Sequence, residues 1–231
     1  MLHIPKVLNA DQVGAFRARL ATAAWADGRI TAGHQSSRVK HNLQLRAEDD
    51  VAQELSALVR EALHRSALFL SAALPRHIFT PLFNCYRNGG GFGDHIDNAV
   101  RYDRSASRAG EAALPVRTDL SATLFLSAPE EYAGGELVID DSLSRRRVKL
   151  PAGDLLLYPA TSIHRVEPIT QGVRLASFFW IQSLVRDAGQ RKILFDLDGA
   201  IQRLNLDRAE HPALIELTGV YHNLLRQWSE V

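Results

Sequence analysis

The residues Asp154–Gln182, DLLLYPATSIHRVEPITQGVRLASFFWIQ, decide the fold class. Two runs within this stretch, Asp154–Tyr158 and Arg174–Ile181, are short and rich in Leu, Phe, Trp and Ile, and Pro, Gly and Ser residues lie between them. Runs of that length and composition are typical of β-strands. Because no helical pattern separates the two runs, the stretch predicts consecutive strands of a barrel or of two packed sheets.

The same strand-like pattern extends over residues 78–182. Four further candidate strands precede the two above: Ile78–Tyr86, Leu120–Leu126, Glu136–Ile139 and Arg147–Leu150. Many short strands without intervening helices predict a barrel or a double-sheet jelly roll rather than a parallel sheet. The residues Asp103–Ala113 are small, polar and aperiodic, and they predict a mobile loop. The run Arg145–Arg147 predicts a solvated turn.

Helical periodicity brackets the β-rich region on both sides. Two helices are predicted before it and two after it. The first runs from Asn9 or Asp11 towards Trp25 and stops near Gly28, and the second begins after Asp49 and Asp50 and ends at Pro75. The third runs along Ile193–Leu204, and Pro212 opens the last. We therefore predict a mainly β protein with flanking α-helices. Its expected regions are an N-terminal helical support region (1–77), a jelly-roll domain (78–182) and a C-terminal helical region (183–231).

Composition narrows the range of functions. A chain of 231 residues with 46% hydrophobic and 23% charged residues fits one main domain with appendages. Its net charge of +1 gives no electrostatic reason to expect a nucleic acid or a membrane as partner. No run approaches the ~18 apolar residues of a membrane span, so a cytoplasmic location is the default expectation. Cys85 is the single cysteine, which excludes an intramolecular disulfide.

Three residues form a candidate metal site. His95 and Asp97 flank Ile96 after a glycine-rich run, and His164 lies in the predicted turn between two strands. Alternate residues of a strand face the same way, so His95 and Asp97 can reach one ion. Two histidines and one carboxylate bind the iron of non-haem Fe(II) oxygenases and leave coordination positions open. The His-x-Asp pair alone is a weak signal, because most histidines are ordinary polar residues.

Arg174 strengthens the hypothesis. It follows His164 by ten residues, beside the apolar run LASFFWIQ. A charge that enters a core needs a partner, and the planar fork of arginine suits a carboxylate. A 2-oxo acid that chelates the metal would supply one. The alternative is an exposed strand residue.

Other residues could line the same pocket. Tyr86 is either a core aromatic residue or a second hydrogen-bond donor to the co-substrate carboxylate, and Asn84 lies one pleat away on the same face. Asn98 could orient Asp97 or touch the substrate. Proximity to the site adds four weaker candidates: Arg101, Tyr102, Arg117 and Trp180.

Three long segments closely resemble the bacterial PKHD-type hydroxylases, which are Fe(II)/2-oxoglutarate dioxygenases related to prolyl and lysyl hydroxylases. They are PLFNCYRNGGGFGDHIDNAVR (81–101), RTDLSATLFLSAPEEYAGGELVIDD (117–141) and VKLPAGDLLLYPATSIHRVEPITQGVRLASFFWIQSLVRD (148–187). The likeness extends to WADGRITAG (25–33) and to YHNLLRQWSEV (221–231). It therefore covers nearly the whole chain, and the segment 103–113 looks longer than expected in relatives.

The resemblance implies a double-stranded β-helix core with Fe(II) at His95, Asp97 and His164. It also implies 2-oxoglutarate held by Arg174 and ascorbate as an auxiliary reductant. Tyr86 is a further candidate contact from its place in the strand, not from the resemblance. The expected reaction hydroxylates an unidentified small-molecule or peptide substrate while O₂ and 2-oxoglutarate give succinate and CO₂. The alternatives are a non-catalytic iron or 2-oxoglutarate sensor and a zinc hydrolase. The terminal helices are candidates for a homodimer interface.

Overall fold

Antiparallel β-strands dominate the computed structural model, which describes residues 1–31, 33, 36–104, 112–141 and 144–231. The helices are α1 (Ala10–Ala21), α2 (Asp50–Arg65), α3 (Ala67–Ala73), α4 (Ala188–Asp207) and α5 (Ala213–Trp228). The strands are β1 (Leu2–Ile4), β2 (Ala26–Asp27), β3 (Lys40–His41), β4 (Leu43–Gln44), β5 (Pro75–Ile78), β6 (Leu82–Arg87), β7 (Gly91–His95), β8 (Val100–Asp103), β9 (Leu114–Arg117), β10 (Leu120–Phe125), β11 (Tyr132–Gly134), β12 (Leu137–Asp141), β13 (Ser144–Val148), β14 (Leu155–Pro159), β15 (Ile163–Val166) and β16 (Ile169–Ser183).

The described strands form two larger sheets and one hairpin. The main sheet has the order β1-β14-β10-β16-β6-β4-β2, and β5 and β11 also pair with β16. The second sheet has the order β13-β12-β15-β7-β3, and β8 pairs only with β9. Side chains of both larger sheets pack together, among them Tyr86, Phe125 and Tyr158 from the main sheet and Leu137 and Val166 from the second. The space between the sheets is therefore the interior of the β-region.

The other face of the main sheet is covered by the N-terminal helices. Phe83 on β6 is fully buried and lies 6.4 Å from Phe16 of α1, measured between ring centroids. Leu55 and Val59 of α2 belong to the same cluster. Because strand residues alternate between faces, one register places Phe83 against the helices and Tyr86 in the interior. At the other end, α5 packs on α4, and Tyr221 and Trp228 contact the buried Leu194 cluster.

A left-handed turn carries the chain from the main sheet to the second sheet. Asn88 and Gly89 have φ values of +53° and +80°, in the region that favours Asn and Gly. The amide of Gly90 donates to the carbonyl of Arg87 at 2.9 Å. The glycine-rich run thus leads directly into β7, the strand that ends at His95.

The predicted helices exist, but two of their bounds were wrong. The first helix ends at Ala21 rather than near Gly28, and the indole N–H of Trp25 donates to the carbonyl of Leu20. The run from Asp50 to Pro75 is two helices, because Ser66 has an extended backbone (φ −88°, ψ 100°) and its hydroxyl caps α3 by accepting from Phe69. Apolar periodicity continues across this break and conceals it.

Two predictions about loops need correction, and part of the second concerns residues that the structure does not describe. Arg145–Arg147 are not a turn but exposed residues of β13, which pairs with β12. Of the predicted loop Asp103–Ala113, Asp103 instead ends β8 and is buried, and residues 105–111 lie outside the described residues. Among the residues that the structure does describe, no helix is both long and apolar enough to cross a membrane.

Phe83 tests the packing of the helices on the main sheet. Phe83→Ala should lower the free energy of unfolding by about 3–5 kcal/mol, because it leaves a cavity between sheet and helices. Leu58→Ala is the control, since Leu58 on α2 is 42% exposed, and it should cost less than about 1 kcal/mol. Urea unfolding followed by circular dichroism measures both. Equal losses would contradict the packing described here.

Candidate active site

A cavity of about 730 Å³, counted to include its open mouth, lies between the two sheets. We refer to it as the central cavity. Its lining includes most of the residues selected from the sequence: Asn84, Tyr86, His95, Asp97, Asn98, Arg101, His164, Arg174 and Trp180.

The structure brings His95, Asp97 and His164 together. His95 ends β7, Asp97 follows two residues later, and His164 on β15 is the cross-strand partner of His95. The ligand atoms that these residues offer all lie within 4.8 Å of one another. His164 Nε2 and Asp97 Oδ2 are 3.7 Å apart. One ion could therefore contact all three.

Backbone carbonyls orient both imidazoles. Nδ1 of His95 is 2.8 Å from the Gly93 carbonyl oxygen, and Nδ1 of His164 is 3.0 Å from that of Ser162. A carbonyl oxygen only accepts, so each Nδ1 carries the proton and donates it. Each Nε2 then keeps its lone pair for a metal. Such partners fix the tautomer and ring orientation of metal-binding histidines.

Other contacts orient Asp97 and keep His95 neutral. Ser121 Oγ donates to Asp97 Oδ2 at 2.6 Å and so orients the carboxylate. The ring of Phe92 stacks on His95 at 3.6 Å between centroids, with 13° between the planes. Burial, and next the neighbouring His164, lower the pKa of His95 to about 4. His95 is therefore neutral at pH 7, which is the form that binds metals.

Arg174 is the buried cation of the site. It is 1% exposed, and it pairs across β16 and β6 with Tyr86. Its guanidinium carbon lies 5.2 Å from the ring centroid of Tyr86 and 5.3 Å from that of Phe125. Within the described part of the chain, its Nε and Nη2 have no hydrogen-bond partner. A buried charge with unpaired donors fits an anion as its partner.

Tyr86 and Asn84 lie beside this cation. Tyr86 is 1% exposed, and its hydroxyl accepts a hydrogen bond from Asn84 Nδ2 at 3.2 Å. Burial raises the pKa of Tyr86 to about 12. The phenol therefore stays protonated and can donate to an anion held by Arg174. Both earlier interpretations of Tyr86 agree with this position.

Two of the weaker candidates do not line the cavity. Tyr102 is 67% exposed. Arg117 points elsewhere, because its Nε contacts Asp119 at 2.7 Å and its Nη1 contacts Glu230 at 2.6 Å. Proximity along the chain was a poor guide here, since side chains on β8 and β9 alternate between faces.

Sequence reasoning also missed several lining residues: Lys40, Ser121, Thr123 and Tyr158. The last three could have been found from the alternation of side chains between the two faces of a strand. On β10 the positions 121 and 123 share a face with Phe125, and Ser121 pairs with Trp180 across to β16. Lys40 lies on a two-residue strand that leaves no such pattern.

Comparison with known proteins supplies further findings. Residues 81–182 match the model of the 2OG-Fe(II) oxygenase superfamily, and residues 188–230 match that of the PKHD-type hydroxylase C-terminal domain. A PKHD-type hydroxylase of Xanthomonas campestris is 60% identical and one of Pseudomonas fluorescens is 56% identical, each over 100% of both chains.

Two solved structures are similar in fold. One is a Trichoplax adhaerens prolyl hydroxylase in complex with a hypoxia inducible factor peptide fragment (TM-score 0.54, 15% identity, covering 84% of this chain and 86% of that one). The other is HygX from Streptomyces hygroscopicus with nickel, 2-oxoglutarate and hygromycin B bound (TM-score 0.51, 17% identity, covering 77% and 80%). With the two sheets, they confirm the predicted mainly β jelly-roll class with flanking helices.

The unpaired donors of Arg174 predict an unusual effect on stability. Arg174→Met should leave the free energy of unfolding of the ligand-free protein unchanged or raise it, by up to about 4 kcal/mol. Arg191→Met is the matched control, because the buried Arg191 donates to the carbonyls of Val185 and Arg186 at 2.7 Å. That variant should lose about 1–3 kcal/mol. Urea unfolding without metal or 2-oxoglutarate measures both. A loss in Arg174→Met as large as in the control would contradict the assignment.

The lowered pKa of His95 predicts a pH dependence of the metal-free protein. The folded value of about 4 lies below the ordinary value near 6.5 of an unfolded histidine. The stabilisation from neutral His95 is therefore complete above about pH 6.5, and it is lost as the pH falls towards about 4. His95→Gln should lose less stability than wild type over this window in urea unfolding. Parallel losses would argue against the shift.

Proposed function

The chain belongs to the PKHD-type hydroxylases of the 2OG-Fe(II) oxygenase superfamily, and from this premise we propose how its residues serve the reaction. The protein is an Fe(II)- and 2-oxoglutarate-dependent hydroxylase whose substrate is unidentified. We propose His95, Asp97 and His164 as the ligands of the ferrous ion. The observation that carries this proposal is the convergence of their ligand atoms within 4.8 Å.

The donor set suits ferrous iron. Two imidazoles and one carboxylate leave positions open for co-substrate and O₂. When bound, Fe(II) supplies the redox chemistry that couples substrate hydroxylation to conversion of 2-oxoglutarate into succinate and CO₂. The protein's part is to hold the ion and to fix its ligands, for which the carbonyls of Gly93 and Ser162 and the hydroxyl of Ser121 are the supports.

We propose that Arg174 binds the distal carboxylate of 2-oxoglutarate. Its fork can form two parallel charge-assisted hydrogen bonds with a carboxylate. Tyr86 is proposed as a second donor to that carboxylate. The buried rings of Tyr86, Phe125 and Tyr158 keep water from this end of the central cavity, which strengthens the interaction between the cation and the anion.

The finer assignments stay proposals. We propose ascorbate as an auxiliary reductant, by kinship with prolyl and lysyl hydroxylases, and a cytoplasmic location. We also keep the division into regions 1–77, 78–182 and 183–231. The ion pair between Arg117 Nη1 and Glu230 Oε2 at 2.6 Å supports a C-terminal region that packs on the β-region. A homodimer would use the exposed apolar residues of the last two helices, such as Leu206 and Ile215.

Turnover of 2-oxoglutarate tests the function and the role of Arg174 together. Protein reconstituted anaerobically with Fe(II) should consume 2-oxoglutarate and release succinate when O₂ is added. Arg174→Met should raise the KM for 2-oxoglutarate at least about 100-fold, since a buried charge pair is lost. Arg165→Met is the control, because Arg165 follows His164 but pairs with Glu167 at 3.0 Å outside the cavity lining. It should change KM less than about threefold.

The alternatives predict other results. A sensor would bind 2-oxoglutarate without O₂-dependent succinate, and a hydrolase would retain Zn²⁺ and ignore 2-oxoglutarate. Metal analysis of protein purified anaerobically separates these cases. Turnover that is unaffected by Arg174→Met would refute the co-substrate assignment even if the protein is active.

A further inference from the structure

A second pair of cations also lines the central cavity. Lys40 and Arg101 are both among its lining residues, and Lys40 is 3% exposed. We propose that Lys40 and Arg101 bind a carboxylate of the primary substrate, which is therefore an organic acid or an acidic side chain. The proposal rests on the proposed function, because it names the substrate class for the same iron site.

Lys40 stands next to the metal ligands. Its Nζ donates to Gln44 Oε1 at 2.9 Å and lies 5.3 Å from the ring centroid of Phe92 and 5.5 Å from that of Phe178. Phe92 in turn stacks on His95. The ammonium group and the imidazole of His95 therefore both lie against the ring of Phe92. An anion bound there would lie beside the reaction centre.

The guanidinium of Arg101 lies against two aromatic rings. Its guanidinium carbon lies 3.9 Å from the ring centroid of Trp180 and 5.8 Å from that of Phe79. Stacking occupies the face of a guanidinium, whereas its N–H donors lie along the edge and bind carboxylates in the plane. The ring of Trp180 therefore fixes the orientation of a group suited to a carboxylate.

The aromatic surroundings separate this pair from the co-substrate cation. Lys40 lies against Phe92 and Phe178, and Arg101 against Phe79 and Trp180. Arg174 lies instead against Tyr86 and Phe125. No ring is shared between the two groups of cations among the described residues. One dicarboxylate held by Arg174 and the metal therefore does not account for the second pair.

The charge of the cavity leads to the same conclusion. Among the described lining residues, three are cationic, namely Lys40, Arg101 and Arg174, and Asp97 is the carboxylate. A ferrous ion and 2-oxoglutarate would carry opposite charges of equal size, so the described lining still has more cationic than anionic side chains. Such a lining favours an anionic substrate. Asp27 also attracts Lys40, but Asp27 is exposed and pairs with Arg29.

The proximity of the two cations affects the pKa of Lys40. Burial, and next the charge of Arg101, lower the pKa of Lys40 to about 8. The charge of a bound anion would oppose both effects by attracting the ammonium group. The apolar rings of Phe92, Phe178 and Trp180 on the same side favour an organic body attached to the charge rather than an inorganic ion.

Matched pairs of acids and amides test the proposal. Protein loaded with Mn(II) and 2-oxoglutarate is titrated by calorimetry with phenylacetate and phenylacetamide, and with a blocked glutamate peptide and its glutamine counterpart. We expect the acid of at least one pair to bind about 10- to 100-fold more tightly than its amide. Preference in the first pair indicates a free acid as substrate, and preference in the second indicates an acidic side chain.

Variants of the two cations complete the test. Lys40→Met and Arg101→Met should each weaken binding of the preferred acid about 10- to 100-fold, while the affinity for 2-oxoglutarate changes less than about threefold. Arg101→Lys keeps the charge and should retain part of the binding. Lys149→Met is the control, since Lys149 also lies over an aromatic ring, that of Tyr132 at 4.3 Å, but outside the cavity lining.

Three results would overturn the inference. They are equal binding of acid and amide in both pairs, unchanged acid binding in the Lys40 and Arg101 variants, and loss of 2-oxoglutarate binding in those variants, which would assign the cations to the co-substrate. Failure of the proposed function is distinguishable, because the wild-type protein would then either fail to bind 2-oxoglutarate with Mn(II) or bind it without releasing succinate when Fe(II) and O₂ are supplied.

Discussion

The buried guanidinium of Arg174 imposes the main energetic constraint on this protein. A cation that is 1% exposed and has donors without partners among the described residues opposes folding. The packing of the surrounding residues must offset the unfavourable free energy of burying this charge. The apolar outer face of the main sheet, where Phe83 and Phe179 pack under the N-terminal helices, supplies hydrophobic stabilisation. The inner face can then stay polar and hold an anion.

Sheet pairing provides the precision of the metal site. His95 and His164 face one another because β7 and β15 pair directly, so backbone hydrogen bonds set the distance between the imidazoles. Carbonyl oxygens at Gly93 and Ser162 then set the tautomers. Sites built on regular strands hold their geometry more closely than sites on loops. Asp97, which lies just beyond β7, depends instead on the hydroxyl of Ser121.

The fold class and the positions of the principal site residues were predictable because period-two patterns and the chemistry of rare polar residues are both local signals. Asp154–Tyr158 and Arg174–Ile181 became β14 and part of β16, shifted by a residue or more at their ends. The break at Ser66 was not predictable, since a serine within an apolar helical pattern is common. Lys40 was not selected from the sequence, because its strand is too short to show an alternating pattern. It is buried by contacts with Phe92 and Phe178, which are distant from it in sequence.

A crystal structure of the protein grown anaerobically with Mn(II) and N-oxalylglycine, an unreactive mimic of 2-oxoglutarate, tests the central claim most directly. The account predicts one anomalous peak bounded by Nε2 of His95, a carboxylate oxygen of Asp97 and Nε2 of His164. It also predicts the distal carboxylate of the mimic on the guanidinium of Arg174. A metal bound elsewhere, or a mimic whose carboxylate lies away from Arg174, would contradict it.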